Sequence, residues 1–146
     1  MVAKESLGAL GAPFELDVER GKIYEFARAT GSEHPDHLRK EAPVAPPTFL
    51  TTSFFWEERT PDANPWELVQ MSQERGMHAE QEYIFHGPPP QAGDRLIAQS
   101  RIAEMRDKTS RSGTVLTFVK MVTEFRDPAT GTLVAEAILT GVERQQ

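Results

Sequence analysis

The chain has 146 residues, the length of one domain, enough to remove roughly 68–70% of its unfolded surface from water. It contains no cysteine, which excludes a disulfide framework, a thiol nucleophile and a thiolate metal site, and its net charge of −6 comes without a basic tail, which argues against a general nucleic-acid binder. No run approaches the roughly 18 apolar residues of a membrane span, and Lys4-Glu5 before a short Gly/Ala/Leu stretch is not a signal peptide, so the expectation is a cytoplasmic protein with no membrane partner.

In chain order, Phe14-Glu15-Leu16-Asp17-Val18 alternates apolar and charged residues, the period of a half-buried strand. Ile23, Phe26, Ala27 and Thr30 then fall on one helical stripe, and Gly31 supplies a left-handed C-terminal cap. That helix delivers the polar cluster Ser32-Glu33-His34-Pro35-Asp36-His37 to a fixed place. The proline-rich stretch 43–47 is extended, because proline keeps the residue before it out of the helical region, and Thr48 is positioned to cap a helix beginning after it. Residues 49–56 (FLTTSFFW) fit a strand by composition and a buried helix by spacing. Residues 57–76 hold Glu57-Glu58-Arg59 and two prolines, and read as a surface excursion with one helical turn near Trp66–Gln73.

From residue 77 the pattern is that of a β-meander. A strand ending at His86 meets Gly87 and three prolines, which cannot continue a ladder. Long strands follow at Asp94–Met105, Val115–Phe125 and Leu133–Val142, joined by turn chemistry at 106–113 and 127–131. Val134, Ile138 and Val142 occupy one face of the last strand and Leu133, Ala135, Ala137 and Leu139 the other, as if both faces were covered. His78 and His86, eight residues apart on one strand, are expected on the same face and too far apart to share a metal.

The order of these pieces carries a resemblance. Gly31, Pro35 and His37 stand where MaoC-like hot-dog proteins have the hydratase signature Gly-Asp-x-Asn-Pro-x-His, and Ser32 stands at the position of that signature's aspartate. Gly21-Lys22-Ile23 before Glu25-Phe26-Ala27, the step Ala45-Pro46-Pro47-Thr48-Phe49, His78-Ala79-Glu80-Gln81 opening a strand, and His86-Gly87-Pro88 with Gly93-Asp94 extend the likeness over most of the chain. Together they resemble the N-terminal-type MaoC dehydratase domain, including partner subunits of bacterial hydroxyacyl dehydratases. The resemblance implies a single α+β hot-dog domain over 1–146, an antiparallel sheet wrapped around a central helix that begins near Thr48. It also implies a homodimer, or a heterodimer with another MaoC-like subunit. The implied substrates are acyl-CoA or acyl-carrier-protein thioesters, with coenzyme A or phosphopantetheine entering as part of the substrate and no other cofactor, and the implied reaction is reversible hydration of a 2-enoyl thioester.

That reaction needs a base for water, an acid for the α-carbon, and donors for an enolate-like oxygen. His37 is the candidate acid or base, because imidazole titrates near neutral pH and the signature puts it at the water. Ser32 cannot replace an aspartate as base, though it can orient a water; Glu33 and Asp36 are nearby carboxylates that would substitute if the loop bends suitably. The donor expected at the start of the central helix is the Thr48 N–H, since Pro47 before it has none. Pro47, Thr48 and His78 are thus the candidate substrate-binding residues, His78 by its place near the family's acyl tunnel. His34, Asp36 and His37 are close in sequence, but Pro35 breaks the helical spacing metal ligands require, so no metal is expected. The cations Arg95, Arg101, Arg106, Lys108 and Arg111 are interspersed with acids, the pattern of a solvated strand face. Three readings stay open: an enoyl-thioester hydratase/dehydratase using His37 with Ser32, Glu33 or Asp36; a non-catalytic subunit shaping the pocket for a catalytic MaoC-like partner; and a hot-dog thioesterase, for which no nucleophile or acid pair is evident.

Overall fold

The computed structural model describes residues 1–145. After a 3-10 turn at Lys4–Ser6 come β1 (Phe14–Asp17), α1 (Arg20–Ala29), α2 (Pro35–Leu38), a 3-10 helix over Phe49–Phe55, α3 (Trp66–Val69), β2 (Gly76–Phe85), β3 (Arg95–Thr109), β4 (Val115–Arg126) and β5 (Leu133–Arg144). The five strands form one antiparallel sheet in the order β1-β3-β4-β5-β2. Only β3-β4-β5 is a meander; β2 does not pair with its successor but lies beyond β5, which corrects the expectation for residues 77 onward. The reason is the linker. The chain bends over 86–88, and Pro88, Pro89 and Pro90 lack ladder donors, so it crosses the sheet instead of folding into a hairpin.

The sheet curls because two strands bulge at the same level. The register shifts between Ile102 and Glu104 on β3 and between His78 and Glu80 on β2, each leaving one residue unmatched and bending its strand. Cross-strand rows on the concave face then read Ala98–Phe125–Ala135–Phe85, Ser100–Thr123–Ala137–Tyr83, Ile102–Met121–Leu139–Gln81 and Met105–Val119–Gly141–His78. The β2 bulge also flips the parity of that strand. His78 therefore shares the concave face with Gly141, while His86 joins Glu136 on the convex face at 2.8 Å, so the two histidines are not on one face as the simple alternation implied.

The segment 49–55 resolves as a helix of the tighter 3-10 kind, seven residues long, lying on the concave face. Phe49 and Leu50 are fully buried with Leu16, Val18, Ile23, Leu96, Ala98 and Phe125, and the Phe26 ring meets Phe49 edge-on at 5.7 Å. Burial of a side chain such as Phe49 contributes about 1.5–3 kcal/mol. Ile23 and Ala27 form the buried stripe of α1 as expected, but Thr30 does not belong to it: it is exposed at the C-cap, its hydroxyl bonded to the Phe26 carbonyl at 2.9 Å. A second cluster, Val2, Val69, Ile102, Val119 and Met121, fills the other end of the sheet beneath Trp66 and Met71.

The strand ends also differ from those that spacing implied. Residues Arg106–Thr109 continue β3 rather than forming a turn, because Asp107 accepts from the Thr117 hydroxyl at 2.8 Å and Arg106 lies over the Phe118 ring at 4.5 Å. The turn itself is 110–114, with Gly113 at φ +85°. The β4–β5 turn follows its sequence chemistry: the Asp127 carboxylate accepts from the Ala129 and Thr130 amides, and Gly131 takes φ +71°. Near the end of β5, Glu143 is a buried carboxylate. Burial raises its pKa, but the Ser72 amide at 2.7 Å, the Met1 amino group and Arg75 together outweigh this and hold it below the ordinary glutamate value.

At Gly141 the sheet and the segment over it leave no room for a side chain. A Cβ built there would stand 2.7 Å from the Trp66 ring and 3.1 Å from the Met71 methyl. Gly141→Ala is expected to cost about 1–3 kcal/mol by overpacking. The check is urea unfolding: the midpoint should fall while the slope stays constant.

Candidate functional site

The loop after α1 is held by backbone bonds before any side chain acts. Gly31 at φ +69° lets its N–H reach the Arg28 carbonyl (3.2 Å) and the Ser32 N–H reach the Ala27 carbonyl (2.8 Å), the paired bonds of a Schellman motif. Ser32 is half-buried, and its hydroxyl accepts a long bond of 3.4 Å from the His34 amide. Pro35 at the first position of α2 suits a helix start, and the His34 ring accepts from the Asp36 amide at 3.3 Å.

His37, half-buried at the end of α2, is fixed by its Nδ1, which lies 2.8 Å from the Val44 carbonyl oxygen. A carbonyl only accepts, so in the neutral ring Nδ1 carries the proton and Nε2 keeps its lone pair. Val44 is itself anchored: its N–H donates to the Asp36 carbonyl at 2.9 Å, and it bridges Gln91. The intervening loop is closed by the Arg39 guanidinium on the Ala42 carbonyl (2.6 and 2.9 Å), and Ala42 adopts φ +41°, a left-handed backbone that costs a non-glycine residue energy.

The carboxylates do not join His37. Asp36 faces Arg39 at 3.8 Å and the His34 ring at 3.9 Å, and Glu33 is exposed. The His34 and His37 rings lie 5.1 Å apart between centroids. Among the described residues no group of three His, Asp or Glu side chains is arranged to hold a metal.

Pro47 and Thr48 follow directly on the Val44 anchor, both exposed. Thr48 is the N-cap of the 3-10 helix, yet its side chain makes no capping bond, contrary to the expectation; the first turn is closed by the Phe49 N–H on the Pro46 carbonyl instead. Among the described residues the Thr48 N–H has no intrachain acceptor, so it is available as a donor at the place the sequence suggested. His78 is not brought to this group. It sits near the opposite end of β2 from Phe85, the residue that packs with Ala45, and its ring bonds the Glu80 carbonyl at 3.0 Å. There it borders a cleft of about 240 Å³ walled by Trp66, Met71, Met77 and Leu139. Of the five site residues, Ser32, His37, Pro47 and Thr48 thus lie on one bonded run of chain, and His78 stands apart. Of the five strand-face cations, Arg95 pairs with Asp17 at 3.0 Å and Arg106 with Glu104 at 3.3 Å, whereas Arg101, Lys108 and Arg111 have no ion-pair partner among the described residues.

Glu57 was not singled out by the sequence, which put it in a charged surface excursion. The chain folds it against the concave face: it accepts from the Ser100 hydroxyl at 2.9 Å and the Asn64 amide at 3.1 Å, and Ser100 also bonds Thr123 at 2.9 Å. Burial pushes its pKa above the ordinary glutamate value of 4.5, partly countered by Ser100. The only hint in the sequence was that Ser100 and Thr123 interrupt otherwise apolar strand faces.

Residues 6–137 match a family model described as "FAS1-like, dehydratase domain region". A UPF0336 protein of Parafrankia sp. (strain EAN1pec) is 31% identical over 140 residues, 90% of this chain and 85% of that protein. Among solved structures, a chain of the C-terminally truncated HadBC (3R-hydroxyacyl-ACP dehydratase) complex of Mycobacterium tuberculosis is similar at 27% identity and a TM-score of 0.66, covering 93% of this chain and 96% of that one. A MaoC-like dehydratase from Rhodospirillum rubrum shares the fold at 18% identity and a TM-score of 0.59, covering 100% and 98%.

A raised carboxyl pKa means that the charged form is disfavoured in the folded state. Glu57 therefore adds stability below the unfolded value, and that contribution is lost as pH rises through the folded value. Glu57→Gln should melt at the same temperature as wild type or lower in acid, and gain on it as pH is raised from 4 toward 8. Melting curves at stepped pH test this; a gap that does not move with pH would show that the carboxylate is not stressed by its burial.

Proposed function

Because the chain belongs to the FAS1-like dehydratase-region family, which its match over residues 6–137 establishes, we propose that it works in the reversible hydration of 2-enoyl thioesters as one subunit of a two-subunit hot-dog unit. In this reading it supplies half of the thioester pocket, and a MaoC-like partner bearing the aspartate of the hydratase signature supplies the base. The observation that carries the reading is the absence of that carboxylate at His37: Ser32 occupies the aspartate position, and Asp36 is turned to Arg39 and His34. A serine hydroxyl is too weak a base to activate water, so Ser32 can orient a water but does not replace the aspartate. The likeness to a chain of the HadBC complex supports an assembly of unlike subunits.

The roles of this chain's residues follow from what each atom offers. Thr48, exposed beside Pro47, has an N–H without an acceptor among the described residues, and an enolate-like thioester oxygen is the anion such a donor stabilises. His37 presents Nε2 with its lone pair, the ring held by Val44, and can accept a bond from water or from a substrate hydroxyl. The substrates are acyl thioesters of coenzyme A or of a phosphopantetheine carrier, and no further cofactor is required. The free lone pair on Nε2 also supports a second reading, in which this chain is catalytic by itself with His37 as its acid or base.

Loss of the 2-enoyl-thioester absorbance measures the difference. The purified chain alone should hydrate the substrate at close to the background rate. Ser32→Asp should raise that rate, and mixing with a subunit that carries Gly-Asp-x-Asn-Pro-x-His should raise it far more. A robust rate from the wild-type chain alone, falling about 10²–10⁴-fold in His37→Ala, would replace this reading with the second one. No rate in any combination would remove thioester hydration altogether.

A further inference from the structure

A cleft of about 660 Å³ lies at the end of the sheet where β3 turns into β4, between hairpin residues 112–115 and the entry to β2 at 74–77. The end of β5 is tied to both walls: the Arg144 N–H donates to the Arg75 carbonyl at 3.0 Å, and the Gln145 N–H donates to the Val115 carbonyl at 2.9 Å. The His37 loop is at the other end of the molecule. Its anchor, Val44 on Gln91, precedes the start of β3, whereas the cleft borders the hairpin fifteen β3 residues later, roughly 40 Å along the strand at about 3.3 Å per residue.

The walls offer positive charge and unused donors. Arg144 is exposed and has no ion-pair partner among the described residues. Arg75 approaches Glu143 at 3.7 Å through one terminal nitrogen, while its Nε is buried and makes no hydrogen bond among the described residues. Glu143 does not depend on that contact alone, since it also accepts from the Ser72 amide and pairs with the Met1 amino group. The hydroxyls of Ser110, Ser112 and Thr114 are linked at 2.9 and 3.4 Å, and these two bonds use two of their three protons, so one remains to be donated. Lys108 and Arg111, without ion-pair partners among the described residues, stand on the same hairpin, and Glu74 is the one carboxylate among the lining residues. In a chain of net charge −6 this end therefore carries a local surplus of cations, which concentrates anions.

Charge count selects the anion. A carboxylate brings one charge and two oxygens, which a single guanidinium fork saturates; a phosphomonoester brings nearly two charges and three acceptor oxygens, which match two guanidiniums and a hydroxyl. The cleft is far larger than a bare ion, and Met77 and Val115 add apolar wall, so an organic group accompanies the phosphate. We propose that this cleft is a binding site for a small phosphomonoester, held by Arg75 and Arg144 with Ser112 and Thr114 and separate from the His37 loop. Nothing about this site depends on thioester hydration. A bound phosphate would also give the buried Arg75 Nε the acceptor it lacks, removing the cost of an unpaired donor.

Phenyl phosphate and benzoate differ chiefly in the anion and so test the charge count directly. Titrated calorimetrically into the full chain at constant ionic strength and pH 7.5, phenyl phosphate is expected to bind saturably at one site, at least about tenfold tighter than benzoate. Its affinity should rise between pH 5 and 7.5, as the ester gains its second charge near pH 6. Arg144→Gln should weaken binding at least about tenfold, and Arg144→Lys, which keeps the charge and loses the fork, should fall between Arg144→Gln and wild type. Arg28→Gln, an exposed arginine on α1, removes the same charge elsewhere and should leave binding unchanged. Melting curves verify that each variant is folded; if Arg144→Gln is not, Arg144→Lys carries the comparison. Absence of saturable binding, benzoate binding as tightly as phenyl phosphate, inorganic phosphate binding more tightly than its phenyl ester, or equal affinity in wild type and the Arg144 variants would each overturn the proposal, as would an equal loss in Arg28→Gln.

Discussion

The candidate site hangs on a short two-stranded bridge between Pro43–Ala45 and Pro90–Ala92. The Ala45 N–H donates to the Pro90 carbonyl at 2.8 Å, the Ala92 N–H donates to the Pro43 carbonyl at 2.9 Å, and Val44 pairs with Gln91 between them. Prolines at 43 and 90 give up their own N–H yet still accept, so each contributes the carbonyl that closes the bridge while its ring keeps the chain extended. His37, Pro47 and Thr48 all depend on it. The Val44 carbonyl holds the His37 ring, the Val44 amide holds α2 through Asp36, and two residues beyond Ala45 the chain turns into Pro47 and Thr48. The same proline run that prevents a β2–β3 hairpin thus positions the loop that carries His37.

Beneath this bridge the core is divided. The apolar cluster around Phe49 and Phe125 is separated from the one around Val69 and Ile102 by the row of Ser100 and Thr123, whose hydroxyls bond one another and Glu57. A buried hydroxyl pair stabilises only when its bonds are made, and the cost of leaving one unpaired exceeds the gain from making it. The row therefore dictates that the chain after the short helix return with a polar group in place, which is how an acidic stretch of 57–66 becomes part of the interior. Asn64 serves twice, donating to Glu57 and accepting from the Trp66 amide, so that α3 begins where the polar row ends.

A helix of seven residues covers less of the concave face than the sheet offers, and β2 stays exposed where that cover runs out. In the two-subunit reading proposed above, the loop that lacks the signature carboxylate is completed by a second subunit.

Much was legible in the sequence because local rules decide it. Gly31 after a 3.6-residue stripe fixes the end of α1 whatever surrounds it, since only a residue free to take positive φ closes the Schellman bonds. Asp127 and Gly131 fix a hairpin, and alternation fixes β1. The order Gly-Ser-x-x-Pro-x-His followed by Ala-Pro-Pro-Thr pointed to the fold family, and with it to the short helix that residues 49–56 left undecided by composition. Non-local balances were not legible. Which strand neighbours β2 depends on where a proline crossover lands; the face of His78 depends on a bulge that alternation does not contain; Asp36 turns from His37 because Arg39 is closer at hand; Glu57 is interior because Ser100 and Thr123, some 43 and 66 residues away, need an acceptor. Sequence determines what each segment prefers, through rules that act over a turn or a strand pair. Only the tertiary structure decides which of those preferences meet, because burial and hydrogen-bond satisfaction are properties of the assembled chain.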